Sequence, residues 1–148
     1  MIDGRKVMIV MPGYNVARTL ERTFRAIPAG SVDEVILVDD GSRDRTAEVA
    51  HALGITVVRH DRNRGYGASQ KTGYQAALAC GAEIIVMLHP DDQYPPEMVP
   101  VLAHLIASRL FDVALGSRLL GTGALKRGMP VYKYVSNRLW TGVQNLLI

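Results

Sequence analysis

Five short aliphatic runs, each closed by turn residues and followed by a stretch of helical length, constrain this chain more than any other feature. They are KVMIVM (6–11), EVILVD (34–39), ITVVRH (55–60), EIIVML (83–88) and DVALGS (112–117). Runs of this length and composition read as strands, and the gaps between them give the order β-α-β-α-β-α-β-α-β. The runs are apolar at successive positions rather than at alternate ones, so both faces of the sheet must be covered, as happens when crossover helices link parallel strands. The expected fold class is therefore α/β, an open and mostly parallel sheet with helices on both faces.

Helix limits are legible as well. Asp44 is the expected N-cap of the second helix and Gly54 its C-terminal stop, Gly81 stops the third, and Pro96 suits the first turn of the fourth. No internal repeat or linker interrupts the pattern, so residues 1–148 are read as a single domain. With 48% hydrophobic and 21% charged residues the chain can build a core, and disorder is excluded. Its net charge of +3 is not gathered into a Lys/Arg block, which argues against a nucleic-acid partner and for a small anionic ligand. Cys80 follows an apolar helical pattern and is expected to be a small buried side chain. The apolar run before Pro12 is too short for a signal sequence or a membrane span, and the expected location is the cytoplasm.

In open α/β sheets ligands bind beyond the carboxyl ends of the strands, so the residues directly after each strand are the diagnostic ones. Here they are PGYN (12–15), DDGSRD (39–44), HDRNRGYG (60–67), HPDDQY (89–94) and GSR (116–118). Gly65-Tyr66-Gly67 begins like a dinucleotide fingerprint, but position 70 is Gln and the stretch follows the third strand, so a nicotinamide site is set aside. A phosphate loop of the GxxxxGK[ST] type is absent from the sequence. Asp39 and Asp40 can be turn residues that accept backbone N–H bonds, or carboxylates that accept from a base N–H or from ribose hydroxyls. A second acidic cluster after another strand favours the nucleotide reading.

That cluster is His89, Asp91, Asp92 and Gln93. Two phosphates cannot approach carboxylates directly, and a divalent cation between them resolves the repulsion and stabilises a departing diphosphate. Mg²⁺ takes one or two carboxylates and keeps water, whereas Mn²⁺ also accepts imidazole, so His89 in the shell leans toward Mn²⁺. A polar loop that caps the following helix is the other reading, and spacing alone does not separate the two.

The order P-x-Y-N, V-D-D-G-S-x-D, N-x-G-x-G-A, an acidic D-x-D-x-Q-type turn with P-x-E, and G-S-R resembles family 2 glycosyltransferases of the GT-A fold, in particular the dolichyl-phosphate mannose synthase-like branch. The resemblance runs from Val7 to the chain end. It implies that Pro12, Tyr14, Asn15 and Asp39 or Asp40 line the base and ribose of a nucleotide sugar, with Asp92 among the substrate-binding residues. It further implies that Asp91 and Gln93 hold Mg²⁺ or Mn²⁺ on the diphosphate, that Lys71 lies beneath the nucleotide unless it is a solvated helix lysine, and that Arg118 is the basic residue near the phosphates or acceptor. Asp91 and Arg118 are thus the residues expected at the chemistry.

Two departures stand out. His89 occupies the place of the first Asp of D-x-D; as a third ligand it brings no negative charge and must be neutral to coordinate, and otherwise it donates to the diphosphate directly. In the resembled enzymes the chain also continues into an acceptor-side segment, so a sugar-hydroxyl acceptor would lack its general base here, whereas a phosphate acceptor needs none. In residues 131–148, Val131, Val135, Leu139, Val143 and Leu146 or Leu147 recur at helical spacing, which suits packing; Trp140, with Lys126 and Arg127, also suits a membrane-surface helix. The resemblance implies inverting transfer of a hexose from a UDP- or GDP-sugar to polyprenyl phosphate or another glycan, at the inner face of a membrane. The alternative is a nucleotide-binding module without catalysis of its own.

Overall fold

The computed structural model describes residues 1–117 and 130–147, which fall into two compact units, Met1–Ala114 and Leu115–Ile148. The first unit is a four-stranded, all-parallel sheet in the order β3-β2-β1-β4. Its elements are β1 (Val7–Gly13), α1 (Leu20–Arg25), β2 (Glu34–Asp39), α2 (Thr46–Ala52), β3 (Thr56–Arg59), α3 (Tyr66–Ala79), β4 (Ile84–Met87) and α4 (Val99–Ala107). A 3₁₀ turn, Pro96–Met98, leads into α4. Four of the five expected strands therefore form, in the expected parallel sense.

β1 is central, and all seven of its residues are buried. Alternate side chains go to opposite faces, as a strand's period of two requires. Ile9 and Met11 join Leu37, Ile84 and Val86 against Leu20 of α1, Ala50 of α2 and Ala103 of α4. Met8 and Val10 join Ile36 and Val38 against Ala77 of α3. Gly73 lets α3 approach closely: a Cβ there would lie 2.2 Å from Val10 Cγ1 and 3.1 Å from Val38 Cγ2.

Gly54 and Gly81 end α2 and α3 in left-handed conformations, with φ of +73° and +78°. In each case the next residue donates back into the last turn, Ile55 N–H to the Ala50 carbonyl and Ala82 N–H to the Ala77 carbonyl, both at 3.0 Å.

Three expectations need correction. The segment 112–117 is not a strand: Val113 and Leu115 are strongly exposed, and among the described residues no ladder takes up its backbone groups. An apolar run without a neighbouring strand to bond has no reason to extend into one. Asp44 is not the N-cap of α2, a position held by Arg45. It stands one residue earlier, where Oδ1 accepts the Thr46 N–H at 3.0 Å and Oδ2 the Ala17 N–H at 3.1 Å, tying the β1 loop to the start of α2. Cys80 is exposed rather than buried, because it falls at the C-cap of α3, and its carbonyl accepts a bond from Lys6 Nζ at 2.9 Å.

The second unit carries α5 (Val131–Leu147), the amphipathic helix expected from the spacing of Val131, Val135, Leu139 and Val143. Among the described residues no helix is long and apolar enough to cross a membrane.

Candidate active site

The carboxyl edge of the sheet is built from loops that bond to one another. Pro12 and Gly13 pair with Val38 and Asp39, and the Asp40 N–H donates to the Gly13 carbonyl at 2.9 Å. Tyr14 is exposed beyond them. Asn15 holds a left-handed φ of +55° and bridges the first two loops. Its N–H donates to Ser42 Oγ, and its Oδ1 accepts the Arg43 N–H, both at 2.9 Å. Asn15 is thus committed to shaping the edge.

The twin aspartates have separate tasks, although both are buried. Asp40 Oδ1 meets His60 Nδ1 at 2.6 Å and the Arg64 N–H at 2.9 Å, and its Oδ2 accepts the Gly65 N–H at 2.8 Å. Burial pushes the Asp40 carboxyl up, but His60 and these two N–H groups outweigh it and hold it below the usual carboxylate range. Since a carboxylate only accepts, Nδ1 of His60 carries the proton toward Asp40, and Nε2 faces Thr72 Oγ1 of α3 at 3.0 Å. Asp40 thereby pins the loop between β3 and α3. Gly41 permits the close fit: at φ +72°, a Cβ would lie 2.7 Å from the Arg62 backbone.

Asp39 is different. Its Oδ1 accepts the Ser42 N–H at 2.9 Å, while Oδ2 is buried without a hydrogen bond. Arg59 Nε lies 3.2 Å from that oxygen, near enough for charge attraction but not aligned as a hydrogen bond. Of the two carboxylates, Asp39 is the one with acceptor capacity in reserve.

In the acidic turn, His89 lies between Tyr66 and Tyr94, with ring centroids 5.2 and 5.4 Å away. Its Nε2 is hydrogen-bonded to the Tyr66 hydroxyl at 3.0 Å. Asp91 is half-buried, and its Oδ1 accepts the Gln93 N–H at 3.1 Å. Asp92 sits at φ +59° and turns to α1, where it pairs with Arg22 and accepts from Thr23 Oγ1 at 3.1 Å. Arg22 first, with Thr23, holds the Asp92 carboxyl below its ordinary value against the effect of burial. That engagement makes Asp92 an anchor for the turn. Lys71 is exposed on α3, and Arg118 lies outside the described residues.

Among the described residues no three His, Cys, Asp or Glu side chains converge as a ready metal cage. The donor types still fit a hard cation that takes a single carboxylate, Asp91, with the Gln93 amide oxygen, and fills its shell from water and a diphosphate. A depression of about 520 Å³ near Phe24, Ile27, Val35 and Gly54 lies toward the start of β2, away from these loops. Sequence reasoning missed Arg59, His60 and Tyr66 as individual site residues, although they fall at the end of β3, directly after it and at the start of α3.

The family model for glycosyl transferase family 2 matches residues 8–147. The chain belongs to glycosyl transferase family 2. This family 2 chain is 32% identical over 136 residues to an uncharacterised protein of Methanocaldococcus jannaschii, covering 92% of this chain and 56% of that one. It is 32% identical over 135 residues to the dolichol-phosphate mannosyltransferase of Pyrococcus furiosus, covering 86% and 37%. Its structure resembles glucosyl-3-phosphoglycerate synthase of Mycobacterium tuberculosis, solved with Mn²⁺, UDP-glucose and phosphoglyceric acid, with a TM-score of 0.58, 29% identity and coverage of 70% and 40%. The fold is thus GT-A, and the chain spans only about half or less of the length of these relatives.

Proposed function

We propose that this chain is the nucleotide-sugar-binding half of a family 2 glycosyltransferase that moves a hexose from a UDP- or GDP-sugar to an acceptor with inversion. The observation that carries the reading is the buried Asp39 with an unfilled acceptor oxygen, on the same sheet edge as Pro12 and Tyr14 and as the acidic turn after β4. Pro12, Tyr14 and Asp39 receive the base and ribose, Asn15 and Asp40 hold their loops in place, and Lys71 lies on the helix beneath the nucleotide. Asp92 anchors the acidic turn so that Asp91 and Gln93 face the diphosphate. Mg²⁺ or Mn²⁺ bound there neutralises charge on the departing nucleoside diphosphate. Arg118 supplies positive charge to the phosphates or to the acceptor.

Relatives of this chain include the dolichol-phosphate mannosyltransferase of Pyrococcus furiosus and a UDP-N-acetylglucosamine–dolichyl-phosphate N-acetylglucosaminyltransferase of Methanococcus voltae. They support a polyprenyl phosphate as the acceptor. An anionic acceptor is itself a nucleophile and needs no general base from this chain. Such an acceptor places the protein at a membrane surface on the cytoplasmic side, with α5 as the contacting helix.

The test is calorimetric titration of UDP and GDP with Mn²⁺ and with chelator. Binding is expected to be tighter with metal, and Asp91→Asn should remove most of the difference. Equal affinity with and without metal in the unsubstituted chain rejects the metal bridge.

A further inference from the structure

The turn after β4 carries an imidazole in place of the first carboxylate of D-x-D, and α3 takes hold of it. Tyr66 and Gln70, one helical turn apart on α3, both bond toward β4 and this turn. The Tyr66 hydroxyl accepts from Gln70 Nε2 at 2.8 Å and has one proton of its own to give, with His89 Nε2 at 3.0 Å and Met87 Sδ at 3.2 Å in reach. Gln70 Nε2 already serves the Met87 sulfur at 3.0 Å, and a thioether is a weaker acceptor than an imidazole nitrogen. The phenol proton therefore goes to Nε2. A neutral imidazole holds a single ring proton, so His89 keeps its own on Nδ1. Among the described residues none takes that Nδ1–H, and the ring is held between Tyr66 and Tyr94.

We infer that Tyr66 is a positioning residue that closes His89 to the metal and makes it a hydrogen-bond donor to the diphosphate; this rests on the nucleotide-sugar reading above. A metal ion needs a ring nitrogen with a free lone pair, and neither nitrogen offers one. The lone pair of Nε2 is filled by Tyr66, and Nδ1 bears the proton. A phosphate oxygen only accepts, so it suits the Nδ1–H, which stands two residues before Asp91 in the same turn. The protein ligands at the turn are then oxygens alone, the Asp91 carboxylate and the Gln93 amide, a set that suits Mg²⁺ as well as Mn²⁺. Charge on the diphosphate is met by the cation and by a fixed neutral donor, which adds no positive charge to repel that cation. The hydrogen bond at one ring nitrogen decides what the other can do, and α3 supplies that bond here.

The experiment has two arms, both on the full chain. In the first, ¹⁵N–¹H correlation of the histidine ring nitrogens at about pH 8, where imidazole is neutral, reads the tautomer, with His89 assigned by its loss in His89→Ala. The proton is expected on Nδ1 of His89, and Tyr66→Phe should abolish that single tautomer while the other histidine signals stay in place. A proton on Nε2 in the unsubstituted chain overturns the proposal. In the second arm, UDP is titrated with Mn²⁺ and with chelator. A metal ligand contributes only when metal is present, whereas a donor to the diphosphate contributes in both conditions. His89→Ala should weaken UDP by about tenfold in both, and Tyr66→Phe by about threefold in both. Loss confined to Mn²⁺ makes His89 a ligand and overturns the proposal, as does unchanged affinity in His89→Ala; each leaves nucleotide binding standing. If UDP binds in neither condition, the nucleotide-sugar reading itself falls, and the role of His89 with it.

Discussion

Replacing Asp40 with Asn tests whether this carboxylate is a structural tie rather than a ligand-binding group. Asn keeps one carbonyl oxygen, which can still serve His60 Nδ1 and the Arg64 N–H, but it sets an amide NH₂ against the Gly65 N–H. The Gly65 N–H keeps only its 3.1 Å bond to Asn63 Oδ1, a loss of about 0.5–1.5 kcal/mol, and the two remaining bonds each lose charge assistance worth about 0.5–1 kcal/mol. The expected loss is about 1.5–3.5 kcal/mol, which a domain of ordinary stability survives. Urea denaturation at several pH values gives the measurement. Because the folded Asp40 carboxyl is held below its unfolded value of about 3.9, its contribution is fully present above that pH and disappears as pH falls through the folded value. The gap between the two proteins should therefore be constant from pH 7 to about pH 5 and shrink below about pH 4. A loss under about 1 kcal/mol at pH 7, or a gap unchanged at pH 3, refutes the assignment.

Further outcomes follow from the same contacts. Gly73→Ala drives a Cβ into Val10 and Val38 between α3 and the sheet and should destabilise by about 1–3 kcal/mol, seen as a lower urea midpoint with an unchanged slope. Gly41→Ala combines a left-handed φ with a backbone clash at Arg62 and Asn63, so it should weaken UDP binding as well as stability; unchanged UDP affinity would show that the loop after β3 does not shape the site. If α5 meets a membrane, sedimentation with anionic liposomes should be salt-sensitive and Trp140 emission should move to the blue, and the absence of both at low salt would reject the membrane role.

The sequence by itself determined the alternation of strand and helix, the parallel sense of the sheet and the edge where its ligand-facing loops gather, because these follow from local periodicity and from the crossover rule. It also carried the family, through short motifs in a set order. Tertiary structure decided what each polar residue in those motifs does. Asp39 and Asp40 are neighbours of the same type, yet one is filled by His60, Arg64 and Gly65 from 20 to 25 positions away, and the other keeps an open oxygen beside Arg59. Asp92 pairs with Arg22 across 70 residues while adjacent Asp91 does not. Even the apolar run at 112–117 depended on a neighbour, since a strand exists only where another strand accepts its bonds. Hydrogen-bond partners distant in the chain have no local signature, so the choice among equivalent residues comes from the folded edge alone.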